Sequence, residues 1–162
     1  MLTLTIMRHG RAESNPGSDF DRRLAPLGVR RSRLVAEQLQ QAGVSWDRVV
    51  TSPAVRASQT AAAVLEVVPS GRRPQEDRDL YDSTTPEALM SALKRHAAGG
   101  RSVALFGHNP GLSWLARWLC PDVGENLDTS DAVVLELDQS DWDDVAPASA
   151  KLRFRSRPDD RP

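Results

Sequence analysis

Three short apolar segments, each followed by a turn that carries arginine or histidine, constrain the fold of this chain more than any other feature. The segments at 2–7, 48–51 and 101–106 have the length and apolar content of buried strands. Amphipathic helical patterns separate them, and this alternation indicates a mostly parallel sheet covered by helices on both faces. The carboxyl ends of parallel strands meet at one edge, where open α/β sheets bind ligands.

Four basic side chains follow these strands closely enough to share that edge: Arg8, His9, Arg56 and His108. Forked arginine donors suit the oxygens of a phosphoryl group. A neutral histidine nitrogen can attack phosphorus, and a second imidazole can donate to an oxygen that gains charge in the transition state. The sequence therefore predicts a phosphoryl pocket in which His9 is the nucleophile.

The rest of the chain fits one three-layer α/β/α sandwich. Further strands are predicted at 131–137, within 75–80 and at 151–154, the last two at sheet edges. At 162 residues the chain is long enough for one well-packed domain. We predict that this domain covers residues 1–155 and that residues 156–162, which are charged and contain proline, form a loose tail.

Composition narrows the choice of partners. The formal net charge is −1, with 27% charged residues, so no overall positive field favours nucleic acid or an anionic membrane. The single cysteine, Cys120, excludes an intramolecular disulfide and fits a reducing compartment. With no signal-peptide pattern and no long apolar run, we expect a cytoplasmic protein. The oligomeric state stays open.

These motifs resemble the histidine phosphatase superfamily, also called phosphoglycerate-mutase-like, and within it the short SixA-type phosphohistidine phosphatases. The resemblance spans most of the chain and rests on three motifs in the family's order: Arg8-His9-Gly10, Thr51-Ser52-Pro53 with Arg56-Ala57-Ser58-Gln59-Thr60-Ala61, and Gly107-His108-Asn109-Pro110. It implies that His9 is the phosphorylated nucleophile and that Arg8, Arg56 and His108 complete the phosphate pocket. It implies no metal and no other cofactor.

Two further residues are assigned by this resemblance alone. Asn15 matches an asparagine that contacts phosphate in many members, although a turn with the following Pro and Gly accounts for it equally well. Asp82, in Leu80-Tyr81-Asp82, matches by position the Glu that larger members use as general acid. A surface carboxylate is the alternative interpretation of Asp82.

The segment from 68 to 101 is too short for the helical lid of larger members, so an open site and a macromolecular substrate are expected. We therefore predict a metal-independent phosphohydrolase that acts through a phosphohistidine intermediate on His9. The predicted substrate is phosphohistidine on a protein, such as a phosphotransfer domain. Two alternatives stay open: a phosphatase for small phosphoesters, and a non-catalytic phosphate-binding adaptor.

Overall fold

The computed structural model describes residues 1–159, which form a six-stranded sheet and five α-helices. The strands are β1 Leu2–Arg8, β2 Arg48–Thr51, β3 Gln75–Glu76, β4 Ser102–Gly107, β5 Ala132–Leu137 and β6 Ala150–Ser156. The helices are α1 Pro26–Gln41, α2 Val55–Leu65, α3 Asp79–Asp82, α4 Pro86–His96 and α5 Gly111–Leu119.

The strand order in the sheet is β3-β2-β4-β1-β5-β6. The first four strands are parallel, whereas β5 runs antiparallel to β1 and β6 antiparallel to β5. In this register Arg8 pairs with Gly107 and Thr51 pairs with Phe106. The carboxyl ends of β1, β2 and β4 therefore lie side by side, and the predicted mostly parallel sheet is confirmed.

Residues of the central strands alternate between two buried layers. In β1, Leu4 and Ile6 pack into the cluster that contains α4 and α5, whereas Met7 packs into the cluster that contains α1 and α2. In β4, Leu105 and Phe106 divide in the same way. Both faces of the sheet are covered by helices, which is the predicted three-layer sandwich, and no lid domain is present among residues 1–159.

The helix α2 starts later than the Ser52-Pro53 pair suggests. Serine followed by proline is a common combination of N-cap and first helical residue, but here the helix begins only at Val55. The Ser52 hydroxyl accepts a bond from the Ala54 amide and also lies 2.8 Å from His108 Nε2. The Ser52 hydroxyl therefore contacts both the backbone of its own segment and the His108 side chain. Two residues, Pro53 and Ala54, separate it from the helix.

The edge strand β6 runs one residue into the segment predicted as a loose tail, 156–162. Ser156 is buried, and its hydroxyl is hydrogen-bonded to the Gln38 side chain. The last three residues of the predicted tail lie outside the described residues. In the described part of the chain, no helix combines the length and the apolar character that crossing a bilayer requires.

Gly28 in α1 lies so close to the first loop that it has no room for a side chain. A Cβ atom there would lie 2.3 Å from the Arg11 carbonyl oxygen, a backbone atom that cannot swing aside. We expect Gly28→Ala to lower the free energy of unfolding by about 1–3 kcal/mol, as overpacking usually does. Urea unfolding would measure the loss, with Gly71→Ala as control because no atom lies within 4 Å there. Equal stability of the two variants would contradict the prediction.

Candidate active site

The four predicted basic residues come together at the carboxyl edge of the sheet. Arg8 ends β1 and His9 follows it, while His108 follows β4. The rings of His9 and His108 have centroids 5.1 Å apart, and Arg56 Nε lies 3.4 Å from His9 Nε2. Strand ends thus bring together residues that are up to one hundred positions apart in the chain.

The hydrogen bonds of His9 define which of its two ring nitrogens carries the proton. Its Nδ1 lies 2.7 Å from the Gly10 carbonyl oxygen, and because a carbonyl can only accept, Nδ1 carries the proton. The unprotonated Nε2 then faces Arg56. Burial lowers the pKa of His9 to about 4, with smaller contributions from Arg56 and Arg8. At neutral pH, Nε2 therefore presents a lone pair, as a nucleophile requires.

The backbone around His9 is held from both sides. Its amide donates to the Gly107 carbonyl at 3.0 Å, and its carbonyl accepts from the Ser130 amide at 3.1 Å. The next amide, of Gly10, donates to the Thr60 hydroxyl at 2.9 Å. The backbone that carries the imidazole is therefore anchored on β4, on the loop before β5 and on α2.

Two nitrogens around His9 are buried but have no hydrogen-bond partner among the described residues: Arg8 Nε and His108 Nδ1. Buried polar atoms are normally paired, so both are available to a bound group. Arg8 is otherwise held by one bond, from Nη1 to the Leu127 carbonyl at 3.2 Å. Burial, with smaller contributions from the nearby His9 and Arg56, lowers the pKa of His108 to about 3, so its ring is neutral in the free protein.

Asp19 is a site residue that sequence reasoning missed. Arg56 donates to its backbone carbonyl at 2.8 Å and to its carboxylate at 3.1 Å, and the Tyr81 hydroxyl donates to the same carboxylate at 2.9 Å. The Tyr81 bond and then the Arg56 contact lower the pKa of Asp19 to about 2. No pattern in the loop from Arg11 to Leu24 marks Asp19 among its several charged residues, so only the folded chain reveals this contact.

The two residues assigned by resemblance alone lie further out. Asn15 is exposed, and its side-chain oxygen accepts from the Gly17 amide at 2.9 Å, as the turn interpretation expects. The Asp82 carboxylate is half exposed and paired with Arg78 Nε at 3.1 Å. Within residues 1–159, neither side chain is hydrogen-bonded to the four basic residues. Their roles in phosphate contact and acid catalysis stay predictions.

Because His9 and His108 are both neutral in the folded protein, we predict that acid lowers its free energy of unfolding. The pKa values of His9 and His108 are about 4 and about 3 in the folded chain, against about 6.5 when unfolded. Because the unfolded chain binds more protons between these values, stability falls as pH decreases from about 7 to about 4. We expect a loss of about 3 kcal/mol from His9 alone, measured by urea unfolding at several pH values. His9→Asn should give a shallower slope, and a flat wild-type profile would contradict the prediction.

Taken together, the site offers one nucleophilic nitrogen surrounded by cationic and neutral N–H donors. Such a set of donors can hold the peripheral oxygens of a tetrahedral oxyanion while the nitrogen approaches its central atom. Among residues 1–159, no group of three or more His, Cys, Asp or Glu side chains is arranged to hold a metal ion. The geometry is that of a phosphoryl-transfer site built from side chains.

Comparison with known proteins agrees with this geometry. Residues 4–84 match the model of the histidine phosphatase superfamily (branch 1). The phosphohistidine phosphatase SixA of Escherichia coli is 34% identical over 160 residues, which cover 93% of this chain and 98% of that protein. An uncharacterised protein of Picosynechococcus is 33% identical over 140 residues, 84% of each chain.

Solved structures of the same type superpose over the whole domain. A SixA structure in complex with tungstate has a TM-score of 0.80 at 28% identity and covers 97% of both chains. A structure described as a putative SixA from Nakamurella multipartitia has a TM-score of 0.85 at 26% identity, covering 97% of this chain and 96% of that one. From its site motifs, its fold and these relatives, the chain belongs to the histidine phosphatase superfamily.

Proposed function

We propose that this phosphatase works without a metal, through a phosphohistidine intermediate on His9, and that its substrate is phosphohistidine on a protein. The observation that carries the proposal is the state of His9: its Nδ1 donates to Gly10, which leaves an unprotonated Nε2 beside Arg56. The unpartnered N–H donor of Arg8 and the free ring nitrogen of His108 flank this nucleophile. Few reactions other than phosphoryl transfer need an unprotonated nitrogen with polar groups of this kind on both sides of it.

The reaction has two steps. In the first, the lone pair of His9 Nε2 attacks phosphorus, an N–P bond forms, and the bond to the leaving group breaks with its electron pair. Arg8 and Arg56 hold the peripheral oxygens, which carry the charge. In the second, water attacks the same phosphorus, the N–P electrons return to Nε2, and orthophosphate leaves. The proton that the attacking water loses passes to a nearby base.

A leaving alkoxide needs a proton, and we propose that Asp19 supplies it. In the free protein the pKa of Asp19 is about 2 because Tyr81 and Arg56 donate to its carboxylate. Once Arg56 turns to a bound phosphoryl group, Asp19 loses that contact and gains a negative neighbour, and both changes raise its pKa. Asp82, whose carboxylate is paired with Arg78 and with none of the four basic residues among residues 1–159, is the alternative acid.

Matched substitutions distinguish the two carboxylates. We expect Asp19→Asn to lower kcat/KM for an alkyl phosphate by about 10²–10⁴-fold, the usual contribution of a general acid. The loss on phosphohistidine should be much smaller, because imidazole leaves more readily than an alkoxide. Asp82→Asn is the control and should stay within a few-fold of wild type on the alkyl ester. Equal losses for the two variants on that ester would contradict the role of Asp19.

The proposed protein substrate draws on two observations. The E. coli relative is named a phosphohistidine phosphatase, and the described chain has no lid over His9, which leaves room for a folded partner. A small phosphoester remains the second candidate. The adaptor alternative is weaker because the nucleophile and both arginines are all present. We place the reaction in the cytoplasm, where the single thiol of Cys120 would stay reduced.

The decisive experiment compares hydrolysis of a phosphohistidine-bearing phosphotransfer protein with hydrolysis of a panel of small phosphoesters, each with and without a chelator. We expect chelator-resistant turnover with the highest kcat/KM on the phosphoprotein. Higher kcat/KM on one of the esters would move the assignment to small substrates. Phosphate binding without turnover on any substrate would favour the adaptor.

A further inference from the structure

Four aromatic rings form a continuous row that leads from the nucleophile toward the surface. The centroid distances are 5.1 Å between His9 and His108, 5.3 Å between His108 and Tyr81, and 5.1 Å between Tyr81 and Phe20. The last two contacts are edge-to-face, the arrangement that the charge distribution of aromatic rings favours. We call Phe20 and Tyr81, with Arg78 beside them, the ring wall.

Arg78 completes the wall and is itself held in place. Its guanidinium carbon lies 5.1 Å from the centroid of Phe20 and 5.6 Å from that of Tyr81, within cation–π range of both rings. Asp82 accepts a hydrogen bond from its Nε at 3.1 Å. This contact holds the Arg78 guanidinium beside the two rings.

Hydrogen bonds also hold the two segments that carry the rings of Phe20 and Tyr81. The backbone carbonyl of Phe20 accepts from the Val55 amide at 3.1 Å, which ties its loop to the start of α2. Tyr81 lies in α3 and donates its hydroxyl to Asp19. Both side chains remain partly exposed. The wall is therefore organised in the free chain and still offers surface to a ligand.

The position of the wall relative to His9 indicates what it would contact. In phosphoryl transfer the attacking and leaving atoms lie roughly in line, so the leaving group points away from His9 Nε2, toward the open side of the site. The row of rings begins at His9 and His108 and extends to Phe20 and Arg78, which are exposed or partly so. Tyr81 and Phe20 are thus the partly exposed rings that continue the row beyond the two histidines.

We propose that Phe20, Tyr81 and Arg78 form a binding subsite for a flat, ring-shaped leaving group, such as the imidazole of phosphohistidine or the phenyl ring of an aryl phosphate. The subsite rests on the proposed function, since it defines the substrate side of the same reaction. A flat ring can pack edge-to-face or offset on these side chains and under the guanidinium, whereas a saturated group of equal size gains only apolar contact.

Binding of inert phosphonates tests the subsite without any turnover. Phenylphosphonate and cyclohexylphosphonate have similar size, but only the first is flat and aromatic. By isothermal titration calorimetry we expect the wild type to bind phenylphosphonate about tenfold more tightly. Phe20→Leu and Tyr81→Leu should bring this ratio close to one, whereas Tyr81→Phe, which keeps the ring and loses the bond to Asp19, should retain it. A wild-type ratio near one, or a full ratio in Tyr81→Leu, would overturn the proposal.

Turnover measurements then distinguish imidazole from phenyl leaving groups. They also distinguish a failure of the subsite from a failure of the proposed hydrolysis. We expect kcat/KM for phosphoimidazole and for phenyl phosphate to fall about tenfold in Phe20→Leu, which leaves the bond between Tyr81 and Asp19 in place, while that for cyclohexyl phosphate changes much less. A loss on one ring substrate alone identifies which ring the subsite fits. If the phenylphosphonate preference is present but no substrate is hydrolysed, the subsite stands and the proposed hydrolysis fails. If hydrolysis is efficient without any ring preference, the subsite is wrong and the phosphatase assignment stands.

Discussion

Replacing His9 with alanine is expected to lower turnover by more than about 10⁴-fold on every substrate, since loss of a nucleophile removes the covalent route altogether. The expectation follows from the protonation of the His9 ring, because Nδ1 carries the proton and donates to the Gly10 carbonyl oxygen, which leaves the lone pair on Nε2. Steady-state hydrolysis by purified His9→Ala, after its folded state is checked by circular dichroism, measures the loss.

Trapping the intermediate makes this test specific. Brief incubation with a phosphorus-labelled substrate should leave acid-labile, base-stable label on the wild type and none on His9→Ala. The matched control is His96→Ala, which removes the third histidine of the chain, located at the end of α4 and paired with Asp77. This control should be labelled and active like the wild type. Label retained on His9→Ala would show that another residue is the nucleophile.

Removing Arg56 is expected to weaken catalysis on every substrate. Arg56→Ala should lower kcat/KM by about 10²–10³-fold, the usual cost of losing one preorganised donor to transition-state charge. Arg56→Lys should recover only part of this loss, because an ammonium keeps the charge but not the forked pair of donors. Steady-state kinetics on one phosphoester measures both, with Arg33→Ala as control, since Arg33 pairs with Glu66 away from the site.

Arg56→Ala should also change the pKa values of its neighbours, which the loss of a merely structural contact would not do. Arg56 is one of the charges that lower the pKa of His9 from its ordinary value to about 4. In Arg56→Ala this pKa should rise, and the pKa of Asp19, which Arg56 also lowers, should rise with it. Proton NMR titration of the His9 ring measures the first shift. An unchanged His9 titration, together with unchanged kcat/KM, would place Arg56 outside the site.

The four basic residues could be predicted because each lies at a place that local sequence determines. Arg8 and His9 directly follow an apolar strand, and Gly107-His108 follows another, so the parallel register alone brings them together. Arg56 is the second residue of α2, the helix that follows β2, and β2 pairs with β4 in the same sheet. Hydrophobic patterning locates the strands well enough to place such residues at their carboxyl ends.

Asp19, Phe20 and Tyr81 could not be predicted in the same way. They lie on the loop before α1 and on a four-residue helix after the edge strand, and no periodic pattern determines the path of either segment. Their mutual contacts arise only when the two segments meet over His108. Asp82 was singled out by its position in a motif, yet the folded chain pairs its carboxylate with Arg78.

The four basic residues and the ring wall lie on different parts of the fold, and this separation affects how such a protein can evolve. The four basic residues proposed to hold phosphate are attached to the ends of β1 and β4 and to α2, where any shift would disturb the buried layers. The three residues of the ring wall lie instead on the loop before α1 and in or beside α3, and each is exposed or partly exposed. Substitutions of Phe20, Tyr81 and Arg78 can therefore change substrate choice while His9, Arg56 and Asp19 stay in place. A mutant library confined to these three positions would explore new substrates at little cost in folding.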